Sequence, residues 1–304
     1  MLIRSEVEAL LDRIAVLQGL PRTVRELPGG LTNQNLHVAT PGHDYVVRIF
    51  RGDTDLLGID RDAEHDNTRA AAAAGVGPGV VDYHPDLGVL VIDYLSGTTL
   101  DNASFEDHDV LARVAAACRR LHEGPRFTGD FDMFRRQAAY LSVVRERGYR
   151  LFTGYADFLN DLELVRKALA VGAGPTVPCN NDLLAGNFVD DGEQVWIIDY
   201  EYSGNNDACF ELGNTVTECD LDESRTEALV AAYFGTPTRT LMARVRLQSV
   251  VSEYGWALWG AIQAAASPID HDFLGWGQHR FDKAASTFRS SGFARLLREA
   301  TGAD

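Results

Sequence analysis

The most informative part of the chain is Pro178-Cys-Asn-Asn-Asp-Leu-Leu-Ala-Gly-Asn-Phe-Val189, which is soon followed by Trp196-Ile-Ile-Asp-Tyr-Glu-Tyr202. Asp182 and Asn187 stand five residues apart in a predicted loop. Asp199 follows the apolar run 195–198, which predicts a short buried strand that aims this carboxylate into a cleft. Two short segments therefore deliver three oxygen-bearing side chains to one place.

This set of side chains matches the needs of phosphoryl transfer from ATP. An Asp orients or deprotonates the attacking hydroxyl, which is the role predicted for Asp182, and an Asn and a second Asp hold Mg²⁺ on the phosphates, the roles predicted for Asn187 and Asp199. Mg²⁺ is a hard cation that takes oxygen ligands. Asp, Gly and Asn also form ordinary turns, so the loop spacing alone is a weak signal. The strand-borne Asp twelve residues after Asn187 strengthens it.

The loop and the strand resemble the pattern H-[NG]-D-x4-N followed by I-D, which is typical of the choline kinase and aminoglycoside phosphotransferase superfamily. The sequence departs from this pattern at Asn180, where the family has His. That His braces the loop by hydrogen bonds, and Asn can both donate and accept, so we expect activity to survive. The resemblance implies an α+β, two-lobed protein-kinase-like fold, with a small β-rich lobe over residues 1–95 and a larger, mainly helical lobe over residues 96–304.

Composition bounds the possible partners. The 304 residues carry a formal net charge of −16, which argues against nucleic-acid binding and suits a cationic small substrate. Acidity also serves solubility alone. The four cysteines form no CxxC pair and no His cluster has ligand spacing, so zinc is not expected. The chain start lacks the apolar core of a signal peptide, and no apolar run approaches the roughly 20 residues of a membrane span. The predicted location is the cytoplasm.

The N-terminal part predicts a nucleotide-binding lobe. Apolar spacing predicts a helix over 5–17 with Ser5 as its N-cap. A Gly-rich turn at Gly29 and Gly30 lets the backbone approach a ligand closely, although a simple hairpin explains the same glycines. The side chains predicted to donate to phosphates around Gly30 are Thr32, Asn33 and Asn35.

Two charged residues of this lobe predict an ion pair. Arg48 lies inside the apolar strand 45–50 and needs a partner, while Glu64 lies on the helix predicted over 59–74. A solvated position explains a helical Glu equally well. The resemblance implies that Arg48 replaces the usual strand-three Lys, pairs with Glu64 and holds the α- and β-phosphates of ATP. It also makes the segment 93–95 a hinge whose backbone, at Asp93 and Leu95, bonds adenine, where an ordinary strand end is the alternative.

The residues after Asp199 point to a cationic substrate. The segments 200–218 and 250–263 are similar to the choline kinase motifs I-D-F-E-Y-S…F-D-I-G-N…E and F-W-G-L-W-x-I-x-Q. Trp256 and Trp259 are three apart and share a helix face, and aromatic rings attract a quaternary or protonated amine. Core packing is the alternative for two Trp at helical spacing. The resemblance implies that five residues bind the amino-alcohol head near Asp182: Tyr202, Glu218, Trp256, Trp259 and Trp276.

Together these patterns predict an ATP- and Mg²⁺-dependent kinase that phosphorylates the hydroxyl of a small amino alcohol. Choline is the first candidate and ethanolamine the second. The alternatives are a kinase for another amine-bearing alcohol, such as an aminoglycoside or amino sugar, and a pseudokinase that binds a cation without turnover, which the Asn180 departure suggests. The sequence leaves the oligomeric state open.

Overall fold

The computed structural model describes residues 3–28, 30–51 and 54–302. Gly29, one of the two glycines of the predicted turn, lies outside the described residues. Short 3₁₀ turns occupy Asn102–Glu106, Tyr155–Phe158 and Ala185–Asn187. The α-helices are α1 Arg4–Leu11, α2 Thr54–Leu57, α3 Arg61–Ala73, α4 His108–His122, α5 Met133–Glu146, α6 Leu159–Ala170, α7 Ala208–Glu218, α8 Glu223–Phe234, α9 Arg239–Ala266, α10 Phe273–Arg289 and α11 Phe293–Ala300.

The N-terminal part is built on one antiparallel sheet. Its five strands lie in the order β1-β2-β3-β5-β4, and Arg48 sits in β3 opposite Leu90 of β5. The strands of the whole chain are β1 Thr23–Leu27, β2 Asn33–Thr40, β3 His43–Phe50, β4 Val80–His84, β5 Val89–Asp93, β6 Thr98–Thr99, β7 Val177–Cys179, β8 Phe188–Asp190, β9 Val195–Ile197 and β10 Gly204–Asn206.

The first helix is shorter than its apolar spacing predicts. It begins after Ile3 rather than Ser5 and ends at Leu11, although Ile14 and Leu17 are fully buried. These two side chains reach the core from turns. The Arg22 guanidinium donates to the Leu17 carbonyl at 3.0 Å and to Glu8 of α1 at 2.7 Å, so it ties that segment to the helix. The pattern was right about burial and wrong about helix length and cap.

The helical part is organised around α9. This helix has 28 residues and is buried along most of its length, packing against its neighbours in one large apolar core. A helix buried on nearly every face needs mostly apolar residues all round it, as α9 has over residues 254–262. Its middle turns therefore place Trp256 and Trp259 at fixed positions inside the molecule.

A small antiparallel sheet followed by a larger helical part agrees with the predicted α+β architecture. The predicted lobe boundary at residue 95 falls between β5 and β6 and stays a prediction. Among the helices of the described part of the chain, none is both long and apolar enough to cross a membrane.

Candidate active site

The loop that carries Asp182 and Asn187 joins β7 to β8 and is braced from beneath by α7. Both oxygens of the buried Glu211 carboxylate accept backbone N–H groups, from Asn180 at 2.7 Å and from Asn181 at 2.8 Å. His122 and Cys179 lie beside this carboxylate within the core. Since a buried carboxylate is stable only when its oxygens are hydrogen-bonded, Glu211 and the loop backbone hold each other in place.

Asn180 does the bracing that was predicted for it. Its side-chain amide donates to the carbonyls of Ile198 and Asp199, at 3.1 and 2.7 Å, and its Oδ1 accepts the Asp182 N–H. It therefore ties the loop to the segment that carries the second Asp. Asn181 and Asp199 both adopt left-handed backbone conformations, with φ of 70° and 63°. Such conformations are uncommon outside glycine and persist where surrounding hydrogen bonds hold them.

The three predicted phosphoryl-transfer side chains line one cavity of about 280 Å³. Asn187 is held by its Nδ2, which donates to the Asp182 carbonyl at 2.6 Å. The carboxyl group of Asp182 is partly buried, and desolvation, together with the negative charges of Glu218 and Asp199, raises its pKa well above the usual range. A carboxylate in such surroundings is a better proton acceptor than an ordinary Asp.

The predicted Arg48–Glu64 ion pair is present. The buried Arg48 guanidinium donates to Glu64 Oε1 at 3.0 Å and also to Asp199 Oδ1 at 2.6 Å. Burial alone lowers the pKa of Arg48, but the two carboxylates raise it above its ordinary value. β3 and α3 are thus tied both to each other and to the end of β9, so the two parts of the molecule meet at Arg48.

The described residues of the Gly-rich segment, among them Gly30 and Thr32, line the cavity. A Cβ on Gly30 would lie 2.4 Å from the Asn33 carbonyl oxygen, so this position needs glycine. Thr32 Oγ1 and Asn33 Nδ2 donate to the Glu201 carboxylate at 2.8 and 3.0 Å. Any phosphate in this position competes with Glu201 for both donors.

Glu201 is the centre of a charged cluster. Its side chain is 6% exposed and pairs with Arg61 at 3.1 Å. Burial and the negative charges of Asp199 and Glu64 raise the pKa of Glu201 to about 7. Arg61 also pairs with Glu64, at 2.6 Å, so it links α3 to the segment after Asp199.

Aromatic side chains form the opposite wall. Tyr202 and Trp256 meet edge to face with ring centroids 4.8 Å apart, and Trp259 Nε1 donates to the Tyr202 hydroxyl at 2.8 Å. Trp276 packs against Trp259 at 5.2 Å. All four rings line the cavity that contains Asp182.

The remaining predicted residues lie behind the cavity or away from it. Glu218 is buried and paired with Arg280. The Asp93 N–H donates to the Gly79 carbonyl at 2.9 Å, and Asp93 Oδ1 is 2.8 Å from His43. The cavity lining that the described residues provide includes Gly30, Thr32, Asn35, Arg48, Asp182, Asn187, Asp199, Tyr202, Trp256, Trp259 and Trp276, but not Asn33, Glu64, Asp93, Leu95 or Glu218.

Comparison with known proteins identifies the family. The choline/ethanolamine kinase family model matches residues 24–239. The chain belongs to the choline/ethanolamine kinase family. A solved choline/ethanolamine kinase family protein from Mesorhizobium loti is 33% identical, with a TM-score of 0.87 over 98% of this chain and 99% of the other.

A curated relative and a structural neighbour extend this comparison. Human ethanolamine kinase 1 is 28% identical over 86% of this chain and 66% of its own length. The GDP and kanamycin complex of the phosphotransferase APH(2″)-IIIa is 14% identical, with a TM-score of 0.67 over 92% of this chain and 98% of the other, which shows a shared fold. The predicted family and kinase-like fold are confirmed.

Sequence reasoning missed four residues in this family member's site: Glu201, Arg61, Glu211 and Arg280. Glu201 stands two residues after Asp199, as the acidic residue of the motif I-D-F-E-Y-S does, and that match is the signal by which it could have been found. Glu211 stands where the family motif F-D-I-G-N has its acidic residue. Arg61 has a local signal, because Glu64 lies three residues later on the same helix, but its second partner Glu201 lies 140 residues away. Arg280 pairs with Glu218, which lies 62 residues away in the chain.

Proposed function

We propose that this protein transfers the γ-phosphoryl group of ATP to the hydroxyl of a small amino alcohol. One observation carries the proposal: a single cavity is lined both by Asp182, Asn187 and Asp199 and by an aromatic wall. The first set suits phosphoryl transfer, and the second suits a cationic head. In this arrangement Asp182 orients the substrate hydroxyl and accepts its proton.

Mg²⁺ fits the donor set. The Asn187 amide nitrogen is committed to the Asp182 carbonyl, which leaves Oδ1 for a cation, and Asp199 has one carboxylate oxygen beyond the one that Arg48 holds. Both ligand atoms are oxygens, as a hard cation requires. When bound by Asn187 and Asp199, Mg²⁺ would neutralise negative charge on the phosphates. Arg48 and Gly30 are proposed to hold the phosphates, and the backbone at Asp93 and Leu95 to hold adenine.

Choline is the first substrate to test. Its quaternary ammonium carries no N–H group, so it is held by aromatic faces rather than by hydrogen bonds, and four rings are available here. Ethanolamine is the second, since the human relative is an ethanolamine kinase.

Two other activities remain to be separated from this one. An aminoglycoside or amino-sugar kinase shares the fold, as the kanamycin-bound neighbour illustrates. A pseudokinase was suggested by Asn180, but this residue makes the loop-bracing hydrogen bonds expected of a working enzyme.

The test is ADP formation over a panel containing choline, ethanolamine, aminoglycosides and amino sugars. Turnover with choline or ethanolamine supports the proposal. Turnover with an aminoglycoside alone favours an aminoglycoside kinase, and choline binding without ADP formation favours the pseudokinase.

We propose a cytoplasmic location, in keeping with four buried free cysteines, because thiols persist in reducing compartments.

A further inference from the structure

An internal cation already occupies one side of the aromatic wall. The Arg280 guanidinium lies 3.6 Å above the ring centroid of Trp276, four residues earlier on α10. The same guanidinium bonds the Glu218 carboxylate of α7. The Arg280 side chain is 10% exposed and that of Glu218 is 2% exposed. Arg280 thus joins the proposed acidic counter-charge to a ring that lines the cavity.

This pairing changes the charge that a substrate amine meets. Glu218 and Arg280 both lie close enough to Asp182 to influence its pKa, and they do so in opposite directions. As a pair they are formally neutral. Glu253, a nearby buried carboxylate, also has a cation partner, Lys283, at 3.5 Å. Neither of these two carboxylates is left as a free counter-charge for the amine.

The chemical consequence differs between amine classes. A primary ammonium has three N–H donors and needs hydrogen-bond acceptors when it leaves water. A quaternary ammonium has none and is satisfied by aromatic faces. A site whose carboxylate is already held by a guanidinium favours the quaternary class.

We propose that Arg280 is a specificity-determining residue: by holding Glu218 and stacking on Trp276, it keeps the Glu218 carboxylate from serving as a hydrogen-bond acceptor at the aromatic wall, and so selects quaternary over primary amino alcohols. This inference rests on the proposed function and deepens it.

The test measures a ratio, kcat/KM for choline divided by kcat/KM for ethanolamine, so that general losses of activity cancel. We expect this ratio to be about ten for the wild type. Arg280→Met keeps an apolar side chain over Trp276 but frees Glu218 for a primary ammonium, and should lower the ratio about tenfold. Glu218→Gln combined with Arg280→Met removes both charges and should restore the wild-type ratio.

Arg289→Met is the matched control. Arg289 lies on the same helix with its guanidinium 4.9 Å from the Phe158 ring centroid, and neither residue lines the cavity. The choline-to-ethanolamine kcat/KM ratio of Arg289→Met should equal that of the wild type. If Arg280→Met fails to fold because it leaves a buried carboxylate unpaired, Arg280→Gln, which keeps a hydrogen-bond donor to Glu218, replaces it and should also lower the ratio.

Specific results overturn the proposal. An unchanged ratio in the Arg280 variants, a shift that persists in the double variant, or a wild-type preference for ethanolamine would each do so. If the wild type forms no ADP with either substrate, the proposed function fails, and the same comparison is made by calorimetric binding of choline and ethanolamine. The proposal then stands or falls on the ratio of Kd values.

Discussion

Asp182 is the proposed acceptor of the substrate hydroxyl proton, because it lines the cavity and its pKa is raised. Asp182→Asn keeps the shape of the loop and removes this property. We expect turnover to fall by about two to four orders of magnitude with nucleotide affinity preserved. Steady-state kinetics and calorimetric ATP titration measure the two effects. Near-normal turnover would remove Asp182 from the catalytic role.

Asp199 and Asn187 are the proposed Mg²⁺ ligands. Asp199→Ala removes a carboxylate oxygen and should abolish the Mg²⁺-dependent part of ATP binding, measured by calorimetry with and without the metal. Asp190→Ala is a suitable control, because Asp190 ends the neighbouring strand β8 and pairs with Arg113 at 2.5 Å but does not line the cavity. Unchanged Mg-ATP affinity in Asp199→Ala would contradict the assignment.

Between elements, the Arg48–Glu64 pair ties β3 to α3. Glu64→Gln keeps hydrogen-bonding capacity but removes the charge that orients Arg48. We expect the KM for ATP to rise about tenfold while the KM for the amino alcohol changes little. The Tm should fall as well, because Glu64 is a buried partner of both Arg48 and Arg61. A large loss of Tm with an unchanged ATP KM would mean that the pair serves the fold instead.

Glu253 gives α9 a pH-dependent contribution to stability. Its carboxyl group accepts a hydrogen bond from Thr217 at 2.8 Å and lies 3.5 Å from the Lys283 ammonium. Burial raises the pKa of Glu253 by more than these partners lower it. The folded protein therefore retains this proton at pH values where the unfolded chain has lost it. The associated stability is fully present below the unfolded pKa and is lost as pH rises through the folded pKa.

Glu253→Gln stays uncharged at every pH. We therefore expect its Tm relative to the wild type to improve as pH rises from about 5 to about 8. Thermal unfolding followed by circular dichroism across this range measures the difference. A constant difference in Tm would show that the carboxyl group does not titrate in that window.

At the scale of the whole molecule, the substrate cavity depends on both parts of the chain. Gly30 and Thr32 of the N-terminal part line it together with the indole rings of α9 and α10. Trp259→Phe keeps an aromatic ring but removes the indole and its bond to Tyr202. Since indole gives the strongest cation–π attraction, the KM for choline should rise several-fold, by about 0.5–1 kcal/mol, with ATP KM unchanged.

Trp196→Phe provides the comparison, because Trp196 donates to Asp191 and lies outside the cavity lining. The neutral choline mimic 3,3-dimethylbutanol should be a much poorer substrate than choline, since it loses the cation–π attraction of every ring. Equal turnover of choline and its mimic would show that the Trp residues serve core packing and do not bind the cation.

Much of the active-site chemistry was predictable because it is local. Asp182 and Asn187 lie on one loop, and Asp199 ends the adjacent hairpin, so their spacing along the chain limits how far apart they can be. Arg48 was predictable for another reason: a guanidinium inside an apolar strand must have a buried partner, and an acidic residue on the next helix could reach it. The resemblance to a family supplied the substrate side, which spacing alone left open.

Tertiary structure alone decided which distant groups became partners. The Thr32–Glu201 hydrogen bond joins residues 169 apart, and the Arg280–Glu218 pair joins residues 62 apart. The apolar periodicity predicted correctly that Ile14 and Leu17 are buried, but it did not predict that they reach the core from turns. Periodicity and spacing report local geometry and burial. The choice among many possible charge partners depends on how packed elements bring them together, and no segment of the sequence contains that information by itself.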